Sequence, residues 1–185
     1  MRVTIIGAGN TGSTIAYAIR DCVGKISLVD IDKKKAEAEC LDLRDSCRIE
    51  NIDTEITFSG EINSSSDAYI ICVGKPLSTG TREERMAHFE QNSKIVDSIL
   101  HEIVPWNSDP WIIMVTNPSH ELAKITLETF RKVIACGRSL DTVRTCVYGK
   151  HEKVMYGNHY HKISIGKGYT NFGVASEVRK ILEGL

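Results

Sequence analysis

The residues whose types and spacing could do chemistry lie at the ends of short apolar runs. The first group is Gly7-Ala8-Gly9-Asn10-Thr11-Gly12, set between an apolar run and a helical pattern. In that context the first glycine makes a tight turn, the second lets backbone approach a diphosphate, and the third packs helix close on strand. The helix that begins there offers unpaired N–H groups and a partial positive charge to an anion. Asp30 closes the next apolar run, 18 positions after Gly12. A carboxylate there accepts hydrogen bonds from adenosine ribose hydroxyls and repels a 2′-phosphate. The pattern predicts a dinucleotide, NAD rather than NADP, on Gly7, Gly9, Asn10, Thr11, Gly12 and Asp30. Two other readings of the glycines stay open: a turn that packs a βαβ unit around nothing, and a site for another adenosyl ligand such as S-adenosylmethionine.

Further polar groups follow later apolar runs. Gly74-Lys75-Pro76-Leu77-Ser78-Thr79-Gly80 is a polar loop with glycine at both ends, which suits a hinged lid, and Arg82 and Arg85 come after it. Thr116-Asn117-Pro118 ends another run; Leu140-Asp141-Thr142-Val143-Arg144 and then His151 follow the last. Singly, each reads as a turn residue or a solvated charge. Together they fall where open α/β sheets bind ligands, outside the carboxyl ends of the strands. Cys146, His151, His159 and His161 match no common zinc spacing, so no metal is expected. The Lys33-Lys34-Lys35 run reads as a solvated face at a helix start.

The elements that must position these groups alternate. Short β-rich runs at 2–6, 26–29, 55–58, 68–73, 111–115 and 132–136 are separated by helical patterns at 10–20, 33–46, 81–104 and 118–130. The helical patterns carry apolar residues at helical spacing, as in Ile15, Ala16 and Ile19, or Ala36, Cys40, Leu41 and Leu43, or Ile95, Ile99, Leu100 and Ile103. Strand and helix in alternation imply βαβ units, hence an α/β fold: a doubly wound parallel sheet of the Rossmann type with six strands. Past Gly137 the alternation stops, and a last helix is expected within 168–185. The expected organisation is a dinucleotide-binding domain at 1–145 and a truncated C-terminal remnant at 146–185.

Composition sets outer bounds. The chain has 185 residues, 42% hydrophobic and 25% charged, which excludes a disordered or collagen-like chain. Lys plus Arg number 23 against 24 for Asp plus Glu, a formal net charge of -1, which speaks against nucleic acid as a partner. The apolar runs are strand-sized, far short of the ~20 residues that span a bilayer. The N-terminal residues read as a strand entering a turn and not as a signal peptide. Six cysteines are scattered without a CxxC pair, as expected of free thiols in a cytoplasmic, reducing setting.

GAGNTGSTIAY, LVDID with LDLRDS, VTNP, LDTVR, the GKH segment and GKGYTNFGVA together resemble the lactate/malate dehydrogenase family of 2-hydroxyacid dehydrogenases. LDT and GKGYTNFGVA are most similar to its L-2-hydroxyisocaproate dehydrogenase branch. The likeness runs from residue 1 to 144 and resumes in two short islands. It implies an NAD-dependent oxidoreductase that moves a hydride between NAD and a 2-hydroxy or 2-keto acid. Arg85, seven positions before Asn92, would polarise the substrate carbonyl, with Arg82 nearby on the substrate side. Asn117 would hold the nicotinamide ribose and the substrate oxygen, and Val73, Gly74, Asn92 and Thr116 would complete the cofactor site. Arg144 would grip the substrate carboxylate through two parallel hydrogen bonds. His151 would donate and accept the proton, oriented by Asp141, and Thr170 would line the pocket near the substrate side chain.

The chain departs from the family pattern in ways that bear on activity. Only residues 145–150 separate Arg144 from His151, where family members place a long helix and a turn. Glu152 follows His151 in place of glycine, and Ser119-His120 stands for Val-Asp. The lid has Leu77, Ser78 and Thr79 where malate enzymes carry an extra arginine, which points to a monocarboxylate. A catalytically impaired NAD-binding paralogue, acting as sensor or subunit, is the alternative; a fragment without independent activity is the third. The family associates through the helices matching residues 33–46 and 169–182, which implies a homodimer or a dimer-based tetramer.

Overall fold

The computed structural model describes residues 1–74, 82–137, 163, 166–167 and 169–185, with the backbone alone for 82–85. Among them six strands form one parallel sheet in the order β3-β2-β1-β4-β5-β6. The chain runs β1 (Arg2–Ile6), α1 (Asn10–Ile19), β2 (Lys25–Val29), α2 (Lys33–Glu50), β3 (Glu55–Ser59), β4 (Ala68–Ile71), α3 (Arg82–Ile103), β5 (Trp111–Met114), α4 (Ser119–Thr126) and β6 (Lys132–Ala135). After 137 the next fully described element is a helix, α5 (Phe172–Glu183). The strand order reverses between β1 and β4, and Ile6 pairs with Val29 on one side and Ile71 on the other. The carboxyl ends of these three strands are therefore level at the switch point, the place where open α/β sheets bind ligands.

The strands are apolar on both faces because both faces are covered. Ile5, Leu28, Ile70 and Ile113 pack on one side with Ile15 and Ile19 of α1, Cys40 and Leu43 of α2, and Val178 and Leu182 of α5. Ile6, Tyr69, Ile71 and Ile112 pack on the other with Val96, Leu100 and Ile103 of α3 and Leu122 of α4. Each of these large side chains contributes about 1.5–3 kcal/mol by leaving water.

Several expected boundaries shift for local reasons. Helix α2 continues past residue 46 because Cys47 extends the buried stripe of Ala36, Cys40 and Leu43. It stops at Asn51, left-handed at φ 56°, whose N–H donates to the Arg48 and Cys47 carbonyls. Leu41 and Ile95 are exposed at 51% and 43%, on the shoulders of stripes expected to bury them. Helix α4 ends at Thr126 and not at 130; the chain turns through residues 127–129, and Phe130 reaches the core from beyond that turn. Among the described residues no helix is long and apolar enough to cross a membrane.

Candidate functional site

The glycine turn has the geometry its spacing predicts. Gly7 sits at φ +102°, and its N–H donates to the Val29 carbonyl at 2.7 Å. A Cβ on Gly7 would lie 2.6 Å from the Cys72 carbonyl oxygen, and one on Gly12 would lie 1.9 Å from the Gly7 oxygen. Both glycines are thus fixed by backbone already present. Gly9 differs: a Cβ there would meet only the Lys35 ammonium, at 3.8 Å. Its lack of a side chain leaves open space in front of α1. No side chain caps α1 and its first turn carries no acidic residue, so the positive end of the helix faces that space without a cap.

Asp30 is built into the same turn. One carboxylate oxygen accepts the Ala8 N–H at 2.8 Å and the other the Asp32 N–H at 3.0 Å. Each keeps a further lone pair for a ribose hydroxyl. Ile31, beside it, is 99% exposed and offers an apolar surface next to the turn. Lys33, Lys34 and Lys35 are exposed, as a solvated face requires. The fold of α2 onto the turn adds that the Lys35 ammonium stands beside Gly9, 3.8 Å from where a Cβ would lie, which the spacing alone does not reveal.

At the ends of β4 and β5 the expected residues converge, largely through Asn92 of α3. Asn92 is 3% exposed, and its Nδ2 donates to the Asn117 carbonyl at 2.7 Å. A Cβ on Gly74, which sits at φ +105°, would lie 2.6 Å from the Asn92 Oδ1. Gly74 is glycine because the Asn92 amide fills its side-chain position. Thr116 is buried, and its hydroxyl donates to the Ile71 carbonyl at 3.1 Å, tying β5 to β4. Asn117 is exposed above them, ahead of a cis bond to Pro118, and Val73 is half-buried beside Gly74. Thr170 is half-buried, and its carbonyl accepts the Thr11 hydroxyl at 3.4 Å.

The end of β6 is held from two helices. Ser119 Oγ donates to the Cys136 carbonyl at 2.7 Å, and Glu177 of α5 accepts the Gly137 N–H at 3.0 Å. The Cys136 thiol lies 3.4 Å from the same carboxylate; burial first and that negative charge second push its pKa well above the ordinary thiol range. Burial alone does the same to Cys72.

The structure therefore brings Gly7, Gly9, Asn10, Thr11, Gly12, Asp30, Val73, Gly74, Asn92, Thr116 and Asn117 to one edge of the sheet, with Thr170 alongside. Asp141, Arg144 and His151 lie outside the described residues, as do Lys75 to Gly80, Cys146, His159 and His161. Arg82 and Arg85 open α3, and their side chains also lie outside the description. Among the described residues no cluster of His, Cys, Asp or Glu could hold a metal.

The family model for the lactate/malate dehydrogenase NAD binding domain matches residues 1–135. The chain belongs to the lactate/malate dehydrogenase family. It is 35% identical over 175 residues to an L-lactate dehydrogenase of Acetivibrio thermocellus, covering 90% of this chain and 54% of that one. It is 32% identical over 153 residues to a malate dehydrogenase of Salinibacter ruber, covering 78% and 48%. The chain spans about half the length of these curated relatives. The structure of malate dehydrogenase from Archaeoglobus fulgidus in complex with NADH has the same fold, with a TM-score of 0.85 at 20% identity; the match covers all of this chain and 77% of that one. The cofactor of this family's binding domain is NAD, and the described residues fit it: open space at Gly9, an uncapped helix end, and a carboxylate with free lone pairs beside them.

Proposed function

We propose that the chain is an NAD-dependent 2-hydroxyacid dehydrogenase that interconverts a 2-hydroxy and a 2-keto monocarboxylic acid. The observation that carries this reading is Asp30, anchored to Ala8 of the glycine turn while keeping lone pairs for a ribose. The α1 N-terminus, Gly9 and Lys35 hold the diphosphate; Asp30 holds the adenosine ribose; Asn117, pinned through Asn92, takes the nicotinamide ribose. Bound NAD supplies the hydride donor and acceptor.

The chain's own residues supply position and charge. Arg144 grips the substrate carboxylate with its planar fork, a geometry lysine cannot copy. Arg85 polarises the carbonyl, and the imidazolium of His151, oriented by Asp141, gives its proton to the oxygen as negative charge builds there. Arg82 and Thr170 line the substrate side, in the manner of the L-2-hydroxyisocaproate branch. The lid sequence Leu77-Ser78-Thr79 favours a monocarboxylate over a dicarboxylate. Residues 1–145 are the binding domain, and 146–185 belong to the substrate domain. Free thiols at all five described cysteines suit a cytoplasmic setting.

NADH fluorescence titration followed by nicotinamide absorbance loss with a panel of 2-keto acids tests the proposal. Binding and turnover are expected, with Arg144→Lys lowering the rate strongly; an unchanged rate in that variant would place the carboxylate grip elsewhere. Binding without turnover on any acid would favour the second reading, an NAD-binding sensor or subunit. The short 145–150 interval between Arg144 and His151 motivates that alternative, because catalysis loses about 100-fold for a misplacement near 1 Å. A homodimer through α2 and α5 is part of the proposal: Leu41 and Ile49 of α2 and Phe172 of α5 are exposed at 51%, 81% and 71%. A monomeric mass in solution scattering would refute it.

A further inference from the structure

The chain leading into α5 touches the cofactor turn across almost the whole sequence. Lys167 Nζ donates to the Asn171 Oδ1 at 2.5 Å, which fixes the orientation of that amide. Asn171 Nδ2 then donates to the Thr14 hydroxyl at 2.8 Å, and Thr14 donates to the Asn10 carbonyl at 2.6 Å. Every donor in this relay points the same way, from Lys167 to the first residue of α1. The Asn171 residue is 7% exposed, so its amide works out of water. The Lys167 ammonium also sits over the rings of Tyr169 and Phe172, at 4.8 Å and 4.2 Å. Helix α5 itself is anchored independently, by Val178 and Leu182 in the core and by Arg179 Nη1 on the Ala18 carbonyl at 2.7 Å.

The first turn of α1 needs outside support. It opens on Gly9, contains Gly12, and has no side-chain cap; glycine in a helix costs about 1 kcal/mol relative to alanine. Its N–H groups are nevertheless those that must hold still for a diphosphate. We propose that Asn171 is a positioning residue for the phosphate-binding turn, so that docking of α5 and binding of the cofactor diphosphate are energetically coupled. The inference rests on the NAD reading above. Coupling is reciprocal: whatever factor the docked relay adds to NADH affinity, NADH returns to the docking of α5.

The test uses the full chain and three ligands: NADH, ADP and adenosine. NADH and ADP carry the diphosphate; adenosine engages only Asp30 and its surroundings. Asn171→Ala and Thr14→Ala are each expected to weaken NADH and ADP about tenfold, the scale of one lost hydrogen bond in a charged network. Adenosine binding should stay within about twofold, and the double variant should be no weaker than either single, because both cut one relay. Thr14→Ala leaves the interior of α5 intact and carries the test if Asn171→Ala does not fold. Hydrogen exchange in residues 172–183 should slow on adding NADH to the wild type and respond less in Thr14→Ala. Unchanged NADH affinity in the folded variants, or an equal loss for adenosine, overturns the relay. Failure of the wild type to bind NADH overturns the NAD reading beneath it, an outcome distinct from wild-type binding with indifferent variants.

Discussion

Gly9→Ala separates the cofactor turn as a binding device from the turn as a piece of packing. The backbone of Gly9 is at φ −77° and ψ −176°, an extended conformation open to any residue, and the new methyl would meet only Lys35 Nζ at 3.8 Å. Loss of unfolded-state freedom on Gly→Ala stabilises by about 0.4–1 kcal/mol, while alanine is a poorer N-cap than glycine by a similar ~0.5–1 kcal/mol. The two effects offset, and the melting temperature should stay within about 2–4 °C of wild type. Binding should behave oppositely. The methyl fills the space a diphosphate must enter, and losing one or two charge-assisted hydrogen bonds at ~1.5–3 kcal/mol each weakens NADH by at least about tenfold. Gly12→Ala is the control: its Cβ would lie 1.9 Å from the Gly7 oxygen, so α1 must move, at a cost of ~1–3 kcal/mol in stability as well as in binding. Parallel NADH titrations and thermal melts read both. A folded Gly9→Ala protein that binds NADH within about twofold of wild type would refute the reasoning.

Asp30→Ala should weaken NADH and narrow its advantage over NADPH, since the repelling carboxylate is gone; it also strands the Ala8 and Asp32 N–H groups. An unchanged NADH to NADPH ratio in competition titrations would count against the ribose role. Asn92→Leu leaves the Asn117 carbonyl unpaired and should cost about 1–3 kcal/mol in denaturant unfolding; an unmoved midpoint would show the bond is dispensable. Cys22 has its pKa raised from 9.0 to about 11, by burial first and then by the Asp21 carboxylate. Its alkylation at pH 8 should therefore run about 100-fold slower than in the unfolded chain, and a matching rate would refute the shift. Because the neutral thiol is favoured in the folded state, its contribution to stability is present below pH 9 and lost as pH rises towards 11.

The parts of the molecule legible in the sequence are those governed by local periodicity. Doubly covered parallel strands are continuous apolar runs, and Gly7, Gly9 and Gly12 sit at a fixed offset from the strand end, so β1, α1 and the turn are readable without tertiary knowledge. The rest depends on which elements meet. Asn92 enters the expected site only through the family resemblance: by periodicity it is one polar residue among many in α3, and its burial between Gly74 and Asn117 arises only when α3 lies over the ends of β4 and β5. Lys35 reads as one of three solvated lysines until α2 packs beside the turn. Leu41 and Ile95 show the opposite error: apolar type placed them inside, but each stripe is only wide enough for its neighbours.

The layering explains why the C-terminal helix bears on the cofactor end at all. Helices α1 and α2 cover the half of one face made by β1 to β3, whereas α3 and α4 cover the opposite face of the half made by β4 to β6. The face of β4 and β5 on the α1 side, with Ile70 and Ile113 fully buried, therefore needs a further cover, and α5 supplies it with Ala175, Val178 and Leu182. A helix that fills this position must lie against α1, and here Asn171, immediately before α5, meets Thr14 in the second turn of α1. Its middle reaches the end of β6 at Gly137 through Glu177. One apolar requirement, the closing of a sheet face, thus brings polar groups from the end of the chain to the turn at its beginning. The helix that completes the core thus also carries, through Asn171, the contact proposed to position the diphosphate-binding turn.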